Sequence, residues 1–461
     1  MKNPQSPARS LGVAFVAALL WSAAALAQAA PATSGSPGSP EDRIRQLEQE
    51  VAALRAAVAE LAKPEAAVQV PADRLAEVEG KIDVLAAEIE KLKIGEAAVA
   101  ADQSEQGMGP AASKVYRSER GVSIGGYGEA LYQNFDAKND DGSPADEIDE
   151  LALERAVVYV GYKWNDRFLF NSEIEFEDAG EEVSVEFAYL DYLWKPQANF
   201  RAGVLLMPVG FLNELHEPTV FLGTHRPEVE RWILPSTWQE NGFGLFGQVG
   251  PVTYRTYVTN GFDASGFSAA GLREGRQGGA EAKAKDFAWV GRADWTAAPG
   301  LLAGASAYLG KAGQGIGPGV QTRMLEGHVE WRKSGLELRA FGVQADLDDV
   351  ARLNEELGLS GAASVGERLT GGYLQAGYDL FARFPHGEQA LIPFVRYESF
   401  DTQAKVPAGF ERDPSNDVDI LTLGLSYKPI PQLVFKADFQ NQDNAAGTGL
   451  DQWSVGLGYV F

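Results

Sequence analysis

The stretch Gln452-Trp453-Ser454-Val455-Gly456-Leu457-Gly458-Tyr459-Val460-Phe461 decides how this chain is read. Trp453, Val455, Leu457, Tyr459 and Phe461 form one apolar row ending on an aromatic, and Ser454, Gly456 and Gly458 form a row of small residues between them. Side chains alternate faces along a strand, so this is the pattern of a strand with lipid on one side and a pore on the other. A soluble strand can carry the same alternation. A soluble sheet, however, leaves the exposed backbone of this strand without a following segment to cover it, whereas closure into a barrel pairs it.

The opposite end suits a protein exported to a cell envelope. Lys2 and Arg9 precede an apolar run over 11–20, and Ala25-Leu26-Ala27 has the small-x-small form of a cleavage site, so 1–27 is expected to be a signal peptide. No later window offers the roughly 18 continuous apolar residues of a spanning helix. A membrane-spanning form of this chain therefore crosses with strands. Gly (51), Phe (23), Tyr (15) and Trp (9) are plentiful, as barrel girdles and small lumen positions require. Cys is absent, which removes disulfides, thiolate catalysis, Cys-ligated metal and covalently attached haem. A net charge of −24 argues against nucleic acid as a partner, because a polyanion binds a basic face.

Residues 28–40 read as a flexible Pro/Ser/Gly linker. Ile44, Leu47, Val51, Leu54, Val58 and Leu61 then recur at alternating steps of three and four, and Leu75, Val78, Ile82, Leu85, Ile89 and Leu92 repeat the pattern after a break. With Ile44 at a and Leu47 at d, Arg43 faces Glu48 and Glu50 faces Arg55 as g-to-e pairs, so 41–94 is expected to be a parallel α-helical coiled coil. A solvated amphipathic helix or a two-helix hairpin would show the same stripes. β-Branched residues at a with Leu at d favour two strands. Residues 95–120 read as a polar, small-residue linker.

From Gly121 the periodicity becomes two and stays there. Sixteen runs are expected, near 121–133, 150–163, 167–178, 183–195, 200–207, 241–249, 252–260, 283–296, 301–309, 323–333, 336–346, 369–381, 390–400, 418–428, 433–443 and 450–461. Connections after even-numbered runs are short and most after odd-numbered runs are long, the layout of a membrane barrel with both termini on the short-turn side. The fold class is thus all-β: a 16-stranded antiparallel transmembrane β-barrel over 121–461, preceded by the coiled coil.

The longest interruption, 208–240, holds Phe211, His216, Phe221, His225, Arg226, Arg231, Trp232 and Trp238. It is too apolar to lie freely in water and is expected to fold into the lumen, although packing over the rim would also cover it. In the lumen, Arg226 and Arg231, with His225 beside them, become the candidate constriction residues, since guanidinium groups bind anions by paired hydrogen bonds. Alternation turns Arg255, Arg292, Arg332, Arg339, Arg396 and Lys436 inward, together with Glu173, Glu175, Glu177, Glu186, Glu326, Glu330 and Glu398.

The chain's ending on Phe461 resembles the C-terminal strand of bacterial outer-membrane proteins. Ala188-Tyr189-Leu190-Asp191-Tyr192, then 201–210 (Arg-Ala-Gly-Val-Leu-Leu-Met-Pro-Val-Gly), then Glu230-Arg231 before Asn241-Gly242, resemble the phosphate-selective porin O and P family. That resemblance implies a homotrimeric outer-membrane porin whose third loop enters the channel beside basic residues, Arg231 here, passing small hydrophilic solutes or anions such as phosphate. The acidic excess over 121–461 and the lack of a dense Arg/Lys ladder depart from that family. A structural anchor is the alternative, tethering outer-membrane lipid to the cell wall through a periplasmic coiled coil. A sheath around a haem protein would leave the lumen's own loop no room. His216, His225, His328 and His386 form no Ser/His/Asp or metal-ligand pattern, so no enzyme, metal or cofactor is expected.

A peptide of residues 41–94 is expected to be helical and oligomeric by circular dichroism and sedimentation, and Leu54→Pro to abolish both properties. A monomeric, unstructured parent peptide would overturn the coiled-coil reading.

Overall fold

A computed structural model describes residues 104–118, 120–315, 319–384 and 387–461. The signal peptide 1–27, the linker 28–40 and the coiled coil 41–94 lie outside the described residues. Runs of alternating polarity become strands, in chain order β1 (Gly121–Phe135), β2 (Glu150–Lys163), β3 (Phe168–Glu177), β4 (Glu182–Lys195), β5 (Ala198–Leu206), β6 (Gln239–Val249), β7 (Val252–Asn260) and β8 (Phe287–Trp295). The second half contributes β9 (Leu301–Lys311), β10 (Gln321–Lys333), β11 (Leu336–Leu347), β12 (Arg368–Tyr378), β13 (Ala390–Lys405), β14 (Asp417–Ile430), β15 (Leu433–Asn444) and β16 (Gln452–Val460). Each strand pairs antiparallel with its neighbours in sequence, and β16 pairs with β1, closing one barrel of sixteen strands.

Closure runs from Tyr127↔Val460 to Phe135↔Gln452. It extends one residue further, where Gly126 N–H donates to the Phe461 carbonyl (3.1 Å) and Phe461 N–H to the Gly126 carbonyl (2.9 Å). With no edge left, every strand has two hydrogen-bonded neighbours, the condition for backbone to sit in hydrocarbon. Short turns such as 196–197, 250–251, 334–335 and 431–432 line one rim, with 379–389 longer. Long connections such as 136–149, 207–238, 261–286 and 348–367 line the other, where 178–181 is the short exception.

The two faces of the wall are inverted relative to a soluble protein. Trp453, Leu457, Tyr459 and Phe461 of the closing strand point outward and are exposed, while Ser454, Gly456 and Gly458 are buried inside. Trp164, Phe168, Trp194, Phe200, Trp295, Trp331 and Tyr459 ring the short-turn rim, and Phe287, Trp289 and Trp453 lie toward the long-loop rim. Between them the outer face carries Leu190, Leu325, Val329, Leu374 and Leu423. This apolar belt with aromatic edges is the surface of a barrel that spans a membrane. Inside, Glu173, Glu398, Arg396 and His328 are almost wholly shielded from solvent.

The shielding comes from chain packed within the barrel. Part of it is the stretch read as linker: residues 104–118 carry the short helix α1 (Lys114–Arg117) and bury Met108, Ala111, Ala112, Ser113 and Val115. Their small size hid them from periodicity, yet it is what lets this backbone lie against the wall. The rest comes from the long loops, including α2 (Glu228–Trp232) in 207–238 and α3 (Val350–Leu357) after β11.

Deleting Phe461 removes two backbone hydrogen bonds at the seam and the ring lying over Gly126. The variant is expected to yield less heat-modifiable, folded barrel on unboiled gels than the parent. Equal yield would show that the seam closes without this residue.

Candidate functional site

Loop 207–238 crosses the lumen. Its neck is stapled where Asn213 Nδ2 donates to the carbonyls of Met207 (2.7 Å) and Trp238 (2.9 Å), and Trp238 N–H donates back to Asn213 Oδ1 (2.7 Å). Trp238 stacks on Phe262 of the next long loop at 4.4 Å. Phe211, Leu212, Phe221, Leu222, Ile233 and Leu234 are all buried, as the loop's apolar content requires.

The wall holds the loop by its main chain. Lys428 Nζ reaches the Thr219 carbonyl (2.7 Å), Arg339 the Val220 carbonyl (2.9 Å) and Arg396 the His225 carbonyl (3.5 Å). Asp438 accepts from Thr224 N–H (2.6 Å) and from its hydroxyl (2.9 Å). Glu326 accepts from Gly210 N–H (3.3 Å), Glu398 from Val229 N–H (3.3 Å), and Arg292 donates to the Gly210 carbonyl. Glu230 of α2 closes the set, accepting from Leu212 N–H (2.9 Å) and the Tyr373 hydroxyl (2.9 Å). A loop needs buried partners for its peptide groups, and here inward-facing charged side chains of the strands supply them.

Under the loop's neck lies a buried ion network. Glu214 meets Arg255 Nε at 2.9 Å and Arg292 at 3.9 Å, while Asp294 binds both arginines at 2.9 Å. His328 sits between Asp294 (2.8 Å) and Glu326 (2.9 Å). His328 bonds with Asp294, Glu326 and Arg292, none of them a nucleophile. The arrangement fixes geometry; it does not form a hydrolytic triad.

Charge across the lumen is divided. On β1 to β4, Glu129, Glu173, Glu175 and Glu186 are buried inward, and Arg155 of β2 lies 3.6 Å from Glu175 and 3.9 Å from Glu129. Facing them are Arg226 of loop 207–238, which acts electrostatically on Glu173 and Glu175, and Arg276 of loop 261–286, which acts on Glu186 and Glu177. Arg231 stands beside them, 49% exposed, pairing with Glu228 at 3.5 Å. Arg273 completes the group. Burial first, then the like charges of Arg276, Arg231 and Arg226, push its guanidinium below the usual range. Arg273 and Arg276 also donate to the carbonyls of Ser236 and Thr237, so loop 261–286 carries loop 207–238.

The expected residues fall as follows. Arg226 and Arg231 both lie on the lumenal loop, and Arg226 also donates to the His216 carbonyl (3.3 Å). His225 is partly buried, bonded to the Thr224 hydroxyl (2.9 Å) and Gln440 (3.3 Å). Burial, then Arg396, Arg231 and Lys436, push its pKa down, so it adds no positive charge at neutral pH. Arg255, Arg292 and Arg396 point inward but are consumed by ion pairs and loop carbonyls, and Arg332 and Glu177 lie at more exposed positions. Arg273 and Arg276 were not singled out in the sequence; the length of 261–286 is the signal that marks their loop.

No family model matches this chain. An uncharacterized protein of Aquifex aeolicus (strain VF5) is 39% identical over 374 residues, covering 77% of this chain and 83% of that protein. The chain belongs to the same family as that protein. Among solved structures it is similar to an anion-selective porin from Comamonas acidovorans (13% identity, 74% of this chain and 100% of that chain, TM-score 0.48). It is also similar to Salmonella typhi OmpF in complex with daunomycin (12% identity, 75% and 99%, TM-score 0.49). The barrel rests on its own strand pairing rather than on these distant likenesses.

Removing one member of the buried network strands the others. Glu214→Ala leaves Arg255 and Arg292 facing each other with Asp294 as their common carboxylate, and a broken buried pair costs about 3–5 kcal/mol. The variant's barrel should unfold at lower urea or temperature than the parent on unboiled gels; unchanged midpoints would show the network contributes nothing.

Proposed function

We propose that this protein is an outer-membrane porin, a water-filled channel for passive diffusion of small hydrophilic solutes, with a preference for anions such as phosphate. The observation that carries this reading is the loop 207–238, held inside the lumen with Arg226 and Arg231, and Arg273 and Arg276 behind them, opposite the carboxylates of β1 to β4. A narrow aqueous path between walls of opposite charge has a strong transverse field, because confinement leaves the charges poorly screened. Small ions and polar solutes pass; guanidinium groups favour carboxylate and phosphate. The sequence's resemblance to phosphate-selective porins O and P supports the same choice, and with it a homotrimer.

A structural anchor is the second reading. It is favoured by the packing of 104–118 within the barrel, which makes the lumen fuller than a wide channel needs. In that reading a periplasmic coiled coil ties the barrel to the cell wall.

Reversal potentials in a salt gradient across a planar bilayer separate the two. The parent is expected to conduct with anion preference, and Arg226→Glu with Arg231→Glu to shift the reversal potential toward cations. The same changes at a rim site, beyond a Debye length of about 8 Å from the path, would do almost nothing. Unaltered selectivity in a conducting variant places these arginines outside the path; an inserted, non-conducting parent favours the anchor.

A further inference from the structure

Residues 105–117 form a small body of their own. Ser113 Oγ donates to the carbonyls of Gly109 (2.7 Å) and Met108 (2.9 Å) and accepts from Glu105 N–H (2.8 Å), while Arg117 Nε lies 3.8 Å from Glu105. A single connection leads from this body to the barrel, and it turns at Gly121, whose φ of +95° suits glycine and around which a Cβ would meet open space. The body sits near the short-turn rim, against the early parts of β1 and β3 and the ends of β2 and β4.

The wall beneath it mixes apolar residues such as Leu169 with polar groups that are paired among themselves. Arg201 is clamped by Asp191 through two hydrogen bonds (2.9 and 3.1 Å) and lies between the rings of Tyr189 (4.1 Å) and Phe246 (4.5 Å). Asn171 donates to the Tyr189 hydroxyl (3.2 Å). To these 105–117 adds the Tyr116 hydroxyl on Arg201, Asp191 and Tyr189 (2.6, 2.7 and 2.9 Å), the Ala112 carbonyl on Asn171 (2.9 Å), Lys114 Nζ on the Ile124 carbonyl (2.7 Å) and the Tyr116 carbonyl on Lys163 Nζ (3.1 Å). A surface built only to be covered is wholly apolar, whereas the polar groups here would meet water without loss of their own pairs.

The other contact is with the crossing loop. Glu217, almost wholly buried, accepts from Ala111 N–H (2.9 Å) and Ala112 N–H (3.1 Å). The fit is close: a Cβ on Gly109 would come 2.4 Å from Glu217 Oε1.

We propose that 105–117 is a displaceable inner plug, latched to the constriction loop by Glu217, whose departure widens the path and bares the Glu217 carboxylate to it. Removal of the plug thus changes two properties together. Cross-section rises, and a carboxylate that had been covered by two amides joins the lining, moving selectivity toward cations. This inference rests on the reading of the barrel as a pore.

Two measurements on the full-length protein test it. In planar bilayers, deletion of 105–117 is expected to raise unit conductance and shift the reversal potential toward cations, and adding Glu217→Gln to that deletion should reverse the shift while keeping the conductance. Unchanged conductance in a conducting deletion variant overturns the plug. If the deletion fails to insert, Tyr116→Phe with Glu217→Ala, which loosens both contacts, takes its place, with raised conductance and no shift toward cations expected and unchanged conductance overturning the plug. Second, the chain has no cysteine, so Ala112→Cys gives one buried thiol. A membrane-impermeant maleimide should modify it slowly in the folded protein and faster when Glu217→Ala is added. Modification only after denaturation shows a fixed part of the wall and overturns displacement. Should no form conduct, the pore reading fails, while thiol labelling still reports whether the segment moves.

Discussion

Backbone pairing around a closed ring is the constraint on which the rest depends. In hydrocarbon each peptide group must find its partner within the protein, so β16 has to meet β1 along its length, from Gln452 to Val460 and on to Phe461. Sixteen strands closed in this way enclose more space than their inward side chains fill. That space decides the chemistry of the inner wall. Residues facing it must suit water or suit whatever chain is folded into it, and this protein does both.

The filling differs from a soluble core in what holds it. Apolar residues of the loops, such as Trp238, Phe262 and Phe211, pack together, but the contacts between loop and wall are mostly charged groups binding peptide carbonyls and amides. Such contacts are directional, and a buried charge deprived of its partner is costly, so they fix position more than they add stability. The inward arginines therefore divide by task. Arg255, Arg292, Arg339 and Arg396 of the wall hold the loop, whereas Arg226 and Arg231 on the loop, with Arg273 and Arg276 that brace it, lie around the side that faces the glutamates.

The strands were legible because each encodes its own two faces. The run 252–260 matches β7 residue for residue, and 150–163 matches β2. Where loops insert, alternation gives only direction: it turned Arg292 and Arg396 inward but could not tell that they end on loop carbonyls, which depends on contacts more than 80 residues apart. The loop 207–238 revealed itself by an apolar content that water would not tolerate. The segment 105–117 did not, because Gly107, Gly109, Ala111 and Ala112 have neither period nor hydrophobic weight. Its tie to the wall runs through Tyr116, Asp191 and Arg201, a constellation that only the folded barrel assembles. Charge opposition across the lumen was hidden for the same reason, since Arg276 acts on Glu186 of β4 from a distant loop.

The porin reading requires a narrowed but continuous aqueous path through this filled barrel. Swelling of liposomes containing the purified protein, followed with uncharged sugars of increasing size, tests it without reference to selectivity. A path narrowed by loop and plug predicts rapid swelling in the smallest sugars, falling steeply with size. Liposomes that hold folded, inserted barrel and yet fail to swell in any sugar would contradict that reading.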